Sequence, residues 1–62
     1  MIGKLCYVSV TKAPLHVKGD WAILILNDTV LILAVSRQFN DEVFALSNRG
    51  IGYVCKKYLT EL

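Results

Sequence analysis

The stretch Ala45-Leu46-Ser47-Asn48-Arg49-Gly50-Ile51-Gly52-Tyr53-Val54, followed by Cys55-Lys56-Lys57-Tyr58-Leu59, limits the fold more than any other part of this chain. β-forming residues run to Ser47, Asn48-Arg49-Gly50 interrupts them as a hairpin turn, and the returning strand covers residues 51–55. Glycine is available there for the positive φ that tight hairpins demand. One short helical turn at Lys56-Lys57-Tyr58 closes the segment.

The same grammar extends upstream. Residues 21–35 are apolar over most of their length, but Asn27 and Asp28 stand in the middle. A central Asp costs roughly 2.5–3.5 kcal/mol on membrane insertion, and neither half reaches the ~20 residues of a spanning helix. The run therefore reads as two β segments joined by a turn at Leu26-Asn27-Asp28-Thr29, where Asn and Asp bond to nearby backbone. Residues 4–10 form a strand that Thr11-Lys12-Ala13-Pro14 interrupts, because proline cannot donate to a central ladder. Residues 15–26 form a lobe punctuated at Gly19-Asp20. Thr29–Val35 is the clearest strand, residues 36–41 a polar loop, Glu42–Ser47 a strand, and residues 60–62 a last short edge. Five short strands without a long helix predict one all-β domain over residues 1–62, a small five-stranded barrel with one short 3-10 turn near its C-terminus.

A chain of 62 residues buries only about 60% of its unfolded surface. Yet 55% of this one is hydrophobic, against about 45–50% for an average count that also includes glycine. So small a body cannot hide that much apolar surface. The net charge of +2 and pI near 8.7 fall short of the pI above about 9 that marks a nucleic-acid binder. Cys6 and Cys55 have no CxxC spacing and His16 is remote from both, so no four-ligand Cys/His zinc site can be built. The cysteines read as reduced small hydrophobes, with a Cys6–Cys55 bond left open because the architecture brings the termini together. Met1-Ile2-Gly3-Lys4 carries no secretory pattern, which predicts a cytoplasmic protein.

From residue 29 onward the chain resembles a Src-homology-3-like (SH3-like) barrel, especially of the bacterial type. Gly52, Tyr53, Val54, Tyr58 and Leu59 match a Gly-aromatic-Val-x-x-x-Tyr-Leu ending, and Asp28-Thr29-Val30-Leu31-Ile32-Leu33 echoes a strand opening of that family. The resemblance implies a binding module. In peptide-binding members a tyrosine like Tyr58, with an N-terminal tyrosine like Tyr7, lines a groove for proline-rich ligands. Here Cys55 occupies the groove's proline position and Asp41 or Glu42 stands where tryptophan is expected. The family register places Leu31, Leu33, Phe44 and Leu46 in the core. Strand side chains alternate with period two, so Val30, Ile32, Val43 and Ala45 would face outward, extended by Ile51. That apolar outer face is the expected contact for a protein partner or a second copy, unless the lobe at residues 15–26 folds over it.

No catalytic constellation is legible. His16 has no nucleophile at a recognisable elbow, the acids are scattered among turns, and Arg49-Gly50-Ile51-Gly52 lacks the strand-to-helix setting of a phosphate loop. The chain is expected to be non-enzymatic, with no cofactor, metal, small-molecule substrate or membrane. The alternative is a nucleic-acid-binding barrel with Arg37, Arg49, Lys56 and Lys57 on the phosphates, joined by Lys12 and Lys18 and with Phe39 and Tyr53 stacking. Attachment to cell-wall material ranks third. A small regulatory or inhibitor protein of bacterial or phage type, acting through an apolar face, fits the size and surface best.

Overall fold

The computed structural model describes residues 2–36 and 41–62. Seven antiparallel strands form one unclosed sheet: β1 (Leu5–Val8), β2 (Lys12–Val17), β3 (Asp20–Ile25), β4 (Thr29–Val35), β5 (Glu42–Ser47), β6 (Gly50–Cys55) and β7 (Leu59–Glu61), with a 3-10 turn at Lys56–Tyr58. The order is β3-β2-β6-β5-β4-β1-β7, so β3 and β7 are the edges. The fold class is all-β as expected, but with seven strands instead of five and without closure. Among the described residues there is no helix long and apolar enough to cross a membrane. The polar loop, with Arg37 and Phe39, lies outside the described residues except at its ends.

The additional strands come from the expected lobe, which is a hairpin. β2 and β3 pair from Lys12↔Ile25 to Val17↔Asp20, and Gly19 in their turn takes φ 76°. Pro14 belongs to β2 and does not break it. β2 meets β6 only at His16↔Tyr53 and Val17↔Gly52, so at Pro14 one side of the strand has no ladder for a missing N–H to weaken. The turn between β3 and β4 is where the sequence placed it. Asn27 adopts φ 73°, and the Asp28 N–H donates to Ile25 O at 3.0 Å.

Every strand from β1 to β6 sends side chains into one core: Cys6, Val8, Ala13, Leu15, Leu24, Val30, Ile32, Val43, Ala45 and Val54. Val30, Ile32, Val43 and Ala45 are therefore interior, each no more than 1% exposed, and the expectation that they face outward is corrected. The cause is one residue of turn length. A turn that runs through Gly50 pairs Ser47 with Ile51 and sets Phe44 opposite the inward Val54. The observed turn uses Asn48 and Arg49 alone. Gly50, at φ 125°, pairs with Ser47, Ala45 with Gly52 and Val43 with Val54. A one-residue slip exchanges the two faces of a strand, so the expected inward set Leu31, Leu33, Phe44 and Leu46 turns outward. The lobe joins the same core through Leu15 and Leu24 and seals it.

Gly52 holds β2 against β6. Its role is close approach: a Cβ there would overlap the His16 carbonyl and lie 3.1 Å from Val17 N. Gly52→Ala is expected to lower stability by about 2–3 kcal/mol, because backbone would have to move. Val43→Lys buries an unpaired charge and is expected to leave the chain unfolded, since a domain of this size has only about 3–9 kcal/mol to lose. Thermal melts followed by circular dichroism check both; a folded Val43→Lys protein would reject the assigned register.

Candidate interaction face

The outer face is built from residues that the strand pairings bring into two rows. Leu5 pairs with Leu31, Leu31 with Leu46 and Leu46 with Ile51, a run of four aliphatic side chains across β1, β4, β5 and β6. Beside it, Ala34 pairs with Phe44, Phe44 with Tyr53, Tyr53 with His16 and His16 with Trp21, crossing β4, β5, β6, β2 and β3. A bulge between Ile32 and Ala34 brings Ala34 into line with Phe44. Neither row contains Asp, Glu, Lys or Arg. Leu5, Leu46, Ile51, Tyr53 and Trp21 are exposed, and Leu31, Ala34 and Phe44 are half-buried by their neighbours. Ile23 and Ile25 continue the apolar surface on β3, opposite Pro14 and Lys12.

Rings organise the second row. His16 stacks on Trp21 at 4.5 Å between centroids with the planes 27° apart, and Phe44 tilts against Tyr53 at 5.1 Å. Such cross-strand aromatic pairs favour the register that makes them. Between the pairs opens a cleft of about 470 Å³, with His16, Val17 and Lys18 on one side and Phe44, Ile51, Gly52 and Tyr53 on the other. That volume lies within the roughly 300–1,000 Å³ of sites that hold small molecules or anchoring side chains.

Of the five residues expected at a partner interface, only Ile51 stands on this face, 44% exposed; Val30, Ile32, Val43 and Ala45 are beneath it. Tyr7 and Tyr58 come to the β1–β7 edge. Tyr7 pairs with Thr60, and Tyr58 is half-buried against the core with Lys57 Nζ 5.3 Å from its ring centroid. Arg37 lies outside the described residues, and the other three basic residues expected on phosphates do not all converge. Arg49 Nε donates to Asp28 Oδ2 at 3.1 Å, whereas Lys56 and Lys57 lie at the other end of the six-residue β6, about 20 Å away. Among the described residues no three His, Cys, Asp or Glu side chains gather as metal ligands. Cys6 and Cys55 are both free thiols, and burial, with Glu61 adding to it, pushes the Cys6 thiol above its ordinary pKa, which lowers its reactivity.

Sequence reasoning missed Leu5, Leu31, Leu46, Phe44, His16 and Trp21 as surface groups. The signal that could have found them was the pairing itself. With Val54 inward, a two-residue turn places Val43 inward and Phe44 outward. Comparison with protein-family models, with curated proteins and with solved structures finds no match to this chain.

Asp28 ties the turns together. Its carboxylate accepts the Ile25 N–H at 3.0 Å and the Arg49 guanidinium, and these bonds, the Ile25 one foremost, hold its pKa below the ordinary carboxylate value. Because the folded pKa is the lower one, its contribution is complete above the unfolded carboxylate value of about 3.9 and is lost as pH falls through the folded value. Asp28→Asn is expected to be less stable than the wild type by about 1 kcal/mol at pH 7, with the gap narrowing at a pH below the unfolded carboxylate value of about 3.9. Paired melts at the two pH values read this directly; a gap that is independent of pH would show that the charge contributes nothing.

Proposed function

We propose that this chain is a non-enzymatic protein-interaction module on a Src-homology-3-like frame, and that its outer apolar face is the surface that binds. The carrying observation is the pair of in-register rows: nine side chains without an Asp, Glu, Lys or Arg, on the solvent side of a sheet whose other side is already a filled core. Soluble monomers seldom leave contiguous apolar patches beyond a few hundred Å² in water. The frame is supported by the β4-β5-β6 meander and by the 3-10 turn that returns β7 to pair with β1. The separation of Arg49 from Lys56 and Lys57, and its pairing with Asp28, favour the apolar face over the basic loops as the contact.

Leu46 lies at the centre of the first row and is 42% exposed, so Leu46→Lys places a charge on the face without entering the core. The variant is expected to melt within a few degrees of the wild type and to lose at least tenfold in affinity for whatever the wild-type protein binds, its own copies included. Sedimentation of the pure protein, together with affinity capture from host extract, measures this. Equal binding by wild type and Leu46→Lys would overturn the assignment of this face.

A further inference from the structure

The second row carries a projection at its β3 end and a recess that reaches from its middle to the β5 end. Trp21, 64% exposed, is the largest side chain standing out of the β3 end, while the cleft runs from His16 and Lys18 to Ile51, Tyr53 and Phe44, with Phe44 on the wall farthest from Trp21. With strands about 4.8 Å apart, Trp21 lies about 10 Å from Tyr53 and about 14 Å from Phe44 along the row. A two-fold axis parallel to the strands, lying in the contact plane between His16 and Tyr53, exchanges those ends. It sets each Trp21 over Phe44 of the other copy and each His16 over Tyr53. Isologous contacts require this kind of self-complementarity, in which one patch supplies both halves of the fit.

Area agrees with shape. A stable interface buries about 800 Å² per partner, roughly a fifth of the 4169 Å² surface of this chain, and five exposed large hydrophobic side chains, Leu5, Trp21, Leu46, Ile51 and Tyr53, stand in the two rows with Ile23 and Ile25 beside them. The alternative self-association, pairing along the β3 edge, is blunted. The outward Trp21 N–H already donates to Asp20 Oδ1 at 2.8 Å and the Ile25 N–H to Asp28 Oδ2 at 3.0 Å.

We propose that a second copy of this chain covers the outer face, in a two-fold dimer in which Trp21 of each copy seats in the cleft between Phe44, Tyr53 and Ile51 of the other. The inference rests on the outer face being the binding surface and names its occupant. Tryptophan buried at an interface centre is a frequent hot spot, and here it is also the chain's single tryptophan, so its fluorescence reports the contact.

Sedimentation velocity of the full chain from micromolar to millimolar concentration is expected to give about 14 kDa, twice the 6.9 kDa chain, with tryptophan emission shifting to the red on dilution. Trp21→Ala and Ile51→Lys, each checked for an unchanged circular dichroism spectrum, are each expected to weaken the dimer at least tenfold. Mixing the two variants is expected to recover association, because Trp21 of the Ile51→Lys chain meets an intact cleft on the Trp21→Ala chain. A wild type that stays monomeric at millimolar concentration, or a dimer indifferent to both substitutions, overturns the proposal. If the pure protein is monomeric while capture of another protein remains sensitive to Leu46→Lys, the dimer fails and the binding face stands. If that capture is insensitive too, both fail.

Discussion

The missing side chain at residue 52 is the constraint on which the rest of the molecule depends. β2 approaches β6 so closely that the His16 carbonyl occupies the space a Cβ would need. That approach lets the β2–β3 hairpin add Ala13, Leu15 and Leu24 to a core that β1, β4, β5 and β6 could not enclose alone. The row beneath is graded to match: Ile32 pairs with Ala45, Ala45 with Gly52 and Gly52 with Val17, so the side chains are smallest where the strands come nearest. Glycine here answers to packing between backbones. The positive φ that glycine also tolerates is used instead at Gly19 and Gly50, in the turns.

Once Gly52 and Ala45 face inward, the outer face is decided, because alternate residues of a pleated strand cannot share a side. Leu46, Ile51 and Tyr53 are forced into solvent together. Among the described residues no second layer lies over them. The apolar excess in the composition thus appears as an ordered surface, in which ring stacks and aliphatic pairs follow the strand register. Cross-strand contacts stabilise the sheet while leaving one side of each group open. The same side chains that fix the register of the sheet thereby form its exposed apolar surface.

Electrostatics shape the ends and edges, and the faces are left apolar. Asp28 accepts from Ile25 within its own turn and from Arg49 of the β5–β6 turn, which joins two loops far apart in sequence. Together with Asp20 it also occupies N–H groups at both ends of β3, an apolar edge strand that would otherwise be a template for uncontrolled pairing. Two carboxylates therefore blunt this edge.

The sequence by itself determined the all-β class, β4, the Asn27-Asp28 turn, the short turn at Lys56–Tyr58 and the existence of an apolar outer surface, because these rest on local propensity and on composition. It did not reveal the hairpin at residues 12–25. There proline argued against a strand, and only the pairing pattern shows that β2 lacks a neighbour at Pro14. Nor did it reveal which half of the alternating residues faces outward. Val43 and Phe44 are both good core residues, and composition cannot separate them. That choice belongs to the tertiary structure, because it follows from whether Gly50 ends the turn or opens β6, and from a contact between residues 16 and 52 that no local pattern encodes.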